Sequence, residues 1–413
     1  MSRNIAMILA GGAGTRLFPL TQTRTKPAVP FAGGLRLIDF VLNNFVNSDI
    51  LKLYVLTQFK SQSLNIHLRQ AWHITGLTGN FIDAIPAQMR MGKRWYEGTA
   101  DAIYQNLRLI EIHEPDNVFI FGSDHIYKID IRQVQRYHEK MDASLTVCAI
   151  PVLATEAAGR FGVIEVDENY RMIGFEEKPE NPKTIPGRPD LALVSMGNYV
   201  FKKDKLFDYL TADAEDKMST HDFGHDILPK MVADGEPVYV YDFNRNEIPG
   251  EAETANHSYW RDVGTVYSFW EAHMDLLVAE PEFDLYNNKW PLRSYHPPVP
   301  PANIMADEHG NHCTVLNSMI SSGSEVTGAH IERSVLGFNA KIEAGTKLVE
   351  SIMLGKCEVG ENCVLNKVIA DKSVKIAPNT QIGVDLELDR ARGLTVSEEG
   401  IVVIPKNMEI GFE

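Results

Sequence analysis

The chain opens on Ile5-Ala-Met-Ile-Leu-Ala10, an unbroken apolar run, and passes without a spacer into Gly11-Gly-Ala-Gly-Thr-Arg-Leu17. A short apolar run of this kind suits a strand buried on both faces. A glycine-rich turn directly after a strand lets backbone N–H groups approach an anionic ligand. Two familiar phosphate loops do not fit: a Walker A loop needs Gly-Lys-Ser/Thr, and the dinucleotide fingerprint needs a glycine where Leu17 stands. The next side chains are cationic. Arg16 offers a two-pronged guanidinium, and Lys26 arrives in Thr25-Lys-Pro-Ala28. Gly11, Gly12, Gly14, Thr15, Arg16 and Lys26 together read as a site for a di- or triphosphate.

Working outward, Leu53–Thr57, Val118–Gly122 and Leu145–Ile150 are further apolar runs of strand length. Helical patterns lie between them. Ala100, Ile103, Tyr104, Leu107 and Ile110 recur at helical spacing behind Thr99 and Asp101, which suit a cap and the helix dipole, and Val263–Ala279 is patterned likewise. Strands alternating with helices predict an α/β, Rossmann-like domain over residues 1–290, its sheet mostly parallel and covered on both faces. His296-Pro-Pro-Val-Pro-Pro301 then packs four prolines into six residues, an extended, stiff linker over 291–303.

Beyond it, residues 304–413 repeat. Ser318-Met-Ile320, Ser334-Val-Leu336, Ser351-Ile-Met353 and Lys367-Val-Ile369 begin 16, 17 and 16 residues apart. Within the units apolar residues recur every six: Leu336, Ile342 and Leu348; Val359 and Leu365; Ile376 and Ile382. That period, punctuated by glycines, predicts a parallel β-helix in which stacked coils bury an inward apolar row.

Composition sets bounds. In 413 residues, 55 acidic against 40 basic side chains give a net charge of −15. This argues against nucleic acid or an anionic membrane as the main partner, while leaving room for a local basic pocket. Four cysteines without a CxxC make neither a disulfide framework nor a structural zinc site. The apolar run at the N-terminus is too short for a signal peptide or a membrane span, so a cytoplasmic protein is expected.

Four further stretches carry chemistry. Trp95-Tyr-Glu-Gly-Thr-Ala-Asp-Ala102 sets Trp95 and Tyr96 before a helix start, where aromatics flank a base or sugar. Val118-Phe-Ile-Phe-Gly-Ser-Asp-His125 ends a buried strand on Asp124, where open parallel sheets bind ligands and a carboxylate holds a divalent cation. Phe175-Glu-Glu-Lys-Pro179 offers Lys178 to a sugar phosphate and Glu177 to sugar hydroxyls, with Ser195-Met-Gly197 as a close approach of backbone to ligand. Trp260-Arg-Asp-Val-Gly-Thr265 supplies Asp262 as a second metal carboxylate.

In order, GGAGTRLFPLT, TKPAVPF, WYEGTADA, GSDHIYKID, FGV, FEEKP, SMGNYVF, HDFG and WRDVGT resemble the bacterial glucose-1-phosphate adenylyltransferases, also called ADP-glucose pyrophosphorylases. The resemblance covers nearly the whole chain, including the repeat and the late Ser397-Glu-Glu-Gly-Ile401. It implies a nucleotidyltransferase domain with a mixed, mostly parallel sheet, followed by a left-handed β-helix for oligomerisation and regulation. It also implies a homotetramer that makes ADP-glucose and diphosphate from ATP and α-D-glucose 1-phosphate with Mg2+, for glycogen synthesis. Carried over, Gly11–Gly14 and Arg16 hold the ATP phosphates with Lys26 nearby, and Gln58 and Trp95 lie near the nucleotide and its regulatory coupling. Asp124 and Asp262 hold the metal, while Tyr96, Gly162, Glu177, Lys178 and Ser195 bind the sugar substrate. A small phosphorylated effector is implied at Arg36 and at Arg390 or Arg392. Thr23 and Pro30 stand where enterobacterial members carry a lysine associated with the sugar-bisphosphate activator and a histidine associated with AMP inhibition, so an effector other than fructose 1,6-bisphosphate, or weak regulation, is expected. Alternatives are another sugar-1-phosphate nucleotidyltransferase, or a non-catalytic regulatory subunit; the latter is disfavoured because Arg16, Lys26, Asp124, Lys178 and Asp262 are all present.

Overall fold

The computed structural model describes residues 3–12, 14–74, 79–88, 95–252 and 258–412. The N-terminal sheet comprises β1 (Asn4–Leu9), β2 (Lys52–Thr57), β3 (Phe81–Pro86), β4 (Asn117–Gly122), β5 (Leu145–Leu153), β6 (Gly162–Val166), β7 (Met172–Glu177), β8 (Leu191–Lys202) and β9 (Val238–Asp242). Their order is β7-β6-β8-β4-β1-β2-β3, with β5 paired to both β8 and β9. β4, β1, β2 and β3 form a parallel block. β8 runs antiparallel to β4, β5 and β6, so the sheet is mixed.

The apolar runs follow from this burial. Ala6, Ile8, Phe119 and Phe121 point into one core, and Ile5, Met7, Val118 and Ile120 into a second on the opposite face. A central parallel strand covered on both sides has no position for a polar residue. The pattern over residues 100–110 is interrupted in the structure: one helix spans Thr99–Tyr104 and another Leu107–Glu111. Asn106 explains the break. Its side-chain amide donates to the Ala102 carbonyl, which a continuing helix would have given to its backbone N–H, and that N–H turns to Ile103 instead.

In the C-terminal repeat, three stacked faces of short strands climb together, as in Met319–Ile320, Val335–Leu336, Ile352–Met353 and Val368–Ala370. Neighbours in each stack are parallel and in register, for example Ile331 beside Leu348 and Leu348 beside Leu365. The six-residue row fills the interior: Val326, Leu336, Ile342, Leu348, Val359, Leu365, Ile376 and Ile382 are buried. The serines that mark the repeat form a ladder. The Ser318 hydroxyl oxygen accepts the Ser334 N–H (3.0 Å), that of Ser334 accepts the Ser351 N–H (3.1 Å), and that of Ser351 accepts the Val368 N–H (3.2 Å). Asn339, Asn362 and Asn379 take the left-handed corner positions that asparagine tolerates.

The two halves share a core. Leu17, Val29 and Phe31 pack with Val335, Ile352, Ile369 and Val403 of the coils. The segment between them is strapped down: Trp290 is buried, the Arg293 N–H donates to the Asn43 side chain, and the Ser294 hydroxyl donates to Asp39.

His273 in the helix Val266–Met274 is fully buried beneath the hairpin formed by Pro30–Phe31 and Leu35–Arg36, whose Gly33 meets Ser321 of the β-helix. One ring nitrogen hydrogen-bonds the Phe269 carbonyl, and the other accepts the Ala32 N–H. Burial pulls its imidazole from 6.5 down to about 4, against the lift from the Phe269 carbonyl. A neutral ring in the fold means that its stabilisation is complete above about 6.5 and lost as pH falls toward 4, by roughly 3 kcal/mol. Urea titrations across that window should show stability declining, with a shallower decline in His273→Gln; equal slopes in the two proteins would contradict it.

Candidate active site

A cleft of about 740 Å³ opens beyond the carboxyl ends of β1 and β4, the place where parallel sheets bind ligands. Its phosphate end is built by backbone. Gly14 adopts φ +61°, and a side chain there would meet Lys26 Cβ at 2.8 Å. Only glycine allows the loop and the Lys26 segment to pack this closely. The Thr25 hydroxyl donates to the carbonyls of Ala10 (3.3 Å) and Gly12 (3.1 Å), tying that segment back to the loop. Gly11, Gly12, Thr15 and Arg16 also line the cleft.

Lys26 reaches the centre. Its Nζ lies 3.0 Å from Asp124 Oδ2 and 3.2 Å from Asp262 Oδ1. The two aspartates meet because the strand Trp260–Asp262 pairs antiparallel with His125–Tyr127, setting Asp262 opposite His125. Burial works against the Lys26 charge, yet the Asp124 and Asp262 carboxylates outweigh it and hold the ammonium above its ordinary pKa. Burial would raise the Asp124 carboxyl, but His125 and Lys26 hold it well below the usual carboxylate range. Asp124, His125 and Asp262 each offer one ligand atom, all within 4.8 Å of one another. Two carboxylates and an imidazole form a set suited to a divalent cation.

The other half of the cleft presents polar groups among aromatic ones and is assembled from distant segments. Gly162, Glu177, Ser195, Tyr199, Asp222 and Trp260 line it. A Cβ on Gly162 would strike Phe175 Cζ at 2.5 Å and Glu177 Oε2 at 2.9 Å, so glycine is what lets the Glu177 carboxylate lie there. Asp222 caps the single π-turn Phe223–Ile227 through the N–H groups of Gly224 and His225, and accepts the Thr99 hydroxyl at 2.9 Å. Gly98 sits hard against the residues leading into this turn, its Cα facing the His221 carbonyl. Between the halves, Gln58 and Tyr96 line the wall, and the Gln58 side chain donates to the Tyr96 carbonyl at 3.4 Å.

The structure therefore gathers Gly11, Gly12, Gly14, Thr15, Arg16, Lys26, Gln58, Tyr96, Asp124, Gly162, Glu177, Ser195 and Asp262 around one cleft. Two expected members stand outside its lining. Trp95 is half exposed, and Lys178 turns onto the surface to pair with Glu177 at 2.9 Å. Sequence reasoning misses Asp222, Tyr199 and Trp260 as site residues, although HDFG, SMGNYVF and WRDVGT contain them; no residue type in those motifs announces a role before the segments converge.

Arg36 belongs to a second cavity, about 290 Å³, between the two halves, with His67, Phe338, Lys356 and Lys372. Burial draws Arg36 down to about 10 and, aided by Arg36 and Arg24, draws Lys372 down to about 7. Arg390 and Arg392 do not line it. Arg390 pairs with Glu387 within their helix, and Arg392 donates to the Gln381 carbonyl and to Asp389.

Residues 5–278 match the nucleotidyl transferase family model, and residues 300–404 match a model described as GlmU-like, C-terminal hexapeptide. Sheet, cleft and coils thus define a nucleotidyl transferase carrying a left-handed β-helix. Over 412 residues, spanning 100% of both chains, the sequence is 58% identical to glucose-1-phosphate adenylyltransferase 1 of Vibrio parahaemolyticus and likewise 58% identical to that of Vibrio cholerae. It is 50% identical over 407 residues to glucose-1-phosphate adenylyltransferase of Thermus thermophilus, covering 97% of this chain and 98% of the relative. The chain belongs to the glucose-1-phosphate adenylyltransferase family.

The glycines of the cleft should separate in stability. A Cβ at Gly98 would lie 2.1 Å from the His221 carbonyl oxygen, whereas one at Gly12 meets nothing within 4 Å. Gly98→Ala should cost about 1–3 kcal/mol in urea unfolding, and Gly12→Ala less than about 0.5 kcal/mol. Equal costs would refute this account of the site's backbone.

Proposed function

We propose that this chain transfers the adenylyl group of ATP to α-D-glucose 1-phosphate, giving ADP-glucose and diphosphate for glycogen synthesis. The observation that carries the reading is one cleft with three successive parts: a glycine loop with Arg16 and Lys26, the Asp124–Asp262 pair, and a polar pocket with Glu177, Ser195 and Asp222. Membership of the family along its full length supports the same choice of substrates.

The nucleophile is a phosphate oxygen of glucose 1-phosphate, already ionised at neutral pH, so no general base is required. The obstacle is bringing two polyanions together in line. Backbone N–H groups of the loop and Arg16 receive the outer phosphates of ATP, and Lys26 faces the phosphorus under attack. Gln58 borders the nucleotide, while Tyr96, Glu177, Ser195 and Asp222 accept from or donate to sugar hydroxyls and fix the attacking oxygen. Orientation of this kind is worth an effective concentration of roughly 10⁵ M or more. Asp124 and Asp262 would hold the divalent ion of the family, here taken as Mg2+, with His125 alongside. An ion bound there would supply positive charge to offset that of the transferred group and the departing diphosphate.

The same reading covers regulation and assembly. Arg36 and Lys372 are partly buried, and Arg36 disfavours the Lys372 charge; an anion would relieve this, so the cavity between the domains is taken as the site of a small phosphorylated effector. The first coil leaves Ile304 and Leu316 about half exposed on Asn303–Met305 and Thr314–Leu316, which supports self-association of the β-helix into a homotetramer.

Diphosphate release from glucose 1-phosphate and Mg2+ should be greatest with ATP when ATP, UTP, dTTP and GTP are compared. In Asp124→Asn it should fall by about 10²–10³-fold. Preference for another nucleotide would overturn the substrate, and silence with all four would overturn the enzyme.

A further inference from the structure

Arg24 and Asp371 form an ion pair across the two domains, Nη1 to Oδ1 at 2.9 Å, with only 3% and 2% of their side chains exposed. Arg24 precedes Lys26 by two residues, so at most about 7 Å of extended chain separates their backbones. Thr25 between them is itself pinned to Ala10 and Gly12 by its hydroxyl, and the turn Lys26–Ala28 follows at once. A displacement at Arg24 therefore has no slack in which to dissipate before it reaches Lys26.

Asp371 is a fixed post. It ends the buried strand Val368–Ala370, its N–H donates to the Ile404 carbonyl, and its Oδ1 also accepts the Lys372 N–H at 2.7 Å. A buried ion pair is weak evidence of a role in stability, because apolar side chains of similar volume in such a place often hold a fold as well. What an apolar pair cannot supply is direction: a charged hydrogen bond sets where the guanidinium lies. We propose that Asp371 of the β-helix is a positioning residue for catalysis, holding the Arg24–Ala28 segment through the buried Arg24 pair so that Lys26 meets Asp124 and Asp262. This rests on the catalytic role proposed for Lys26, and it makes the β-helix a structural part of the active site.

The test uses the full-length protein and radiolabelled glucose 1-phosphate. Asp371→Asn should lower kcat about 10- to 100-fold, the scale of a displacement near 1 Å, with KM for glucose 1-phosphate little changed. Because Asp371→Asn strands a buried cation, the double variant Arg24→Met with Asp371→Leu is measured beside it. It should melt near the wild-type temperature and show the same loss of kcat. In a Lys26→Gln background, Asp371→Asn should cost nothing further, since the group it positions is gone; a merely structural role would multiply the two losses. Wild-type kcat in the double variant, or an undiminished loss in the Lys26→Gln background, would overturn the inference alone. Wild-type turnover by Lys26→Gln would overturn the role of Lys26 and this inference with it.

Discussion

Lys26 is buried along its length, and its ammonium ends between two carboxylates that stand 138 residues apart in sequence, Asp124 and Asp262. A buried ammonium without a carboxylate beside it would be costly there. The glycine loop, the end of β4 and the Trp260–Asp262 strand must therefore converge to within a hydrogen-bond length. Much of the molecule serves that convergence. The two-faced apolar core holds β1 and β4 side by side, the antiparallel pairing with His125–Tyr127 delivers Asp262, and Gly14 omits a Cβ that would press on Lys26.

That site also explains why the two domains are packed rather than tethered. The segment carrying Lys26 lies at the surface of its own domain, and its neighbours Leu17, Val29 and Phe31 bury themselves against coil residues Val335, Ile352 and Ile369. The hairpin above His273 and the Asp39 carboxylate, which gathers donors from His67, Trp72 and Ser294, fix the same boundary from beneath. An anion settling beside Arg36 and Lys372 would act on this boundary, with the catalytic loop directly behind it.

How much of this was legible in the sequence varied with how local the cause was. The strand-to-loop passage at residues 5–17 was readable because its chemistry is that of backbone and glycine. The coils were readable because a six-residue apolar period has one packing solution, and the serine units proved to be rungs of a ladder. Sequence was weakest where a side chain's direction decides. Trp95 and Lys178 flank lining residues, Tyr96 and Glu177, yet neither lines the cleft. Asn106 broke a helix that periodicity had run through. Asp222 and Tyr199 acquire a role only when Thr99, the π-turn and β8 are brought together in space.

The serine ladder carries one more consequence. Each hydroxyl serves a backbone N–H sixteen or seventeen positions further on, so the length of this domain is quantised. A whole coil can be added or lost with the rungs still meeting, whereas an insertion of two or three residues on a face would misalign every rung beyond it. Because Val335, Ile352, Ile369 and Val403 of successive coils face the catalytic domain, such a slip would also shear the interface. Over evolutionary time, change in length should accumulate at coil corners or in units of one full turn, leaving the stacked faces as a ruler against which the catalytic domain is set.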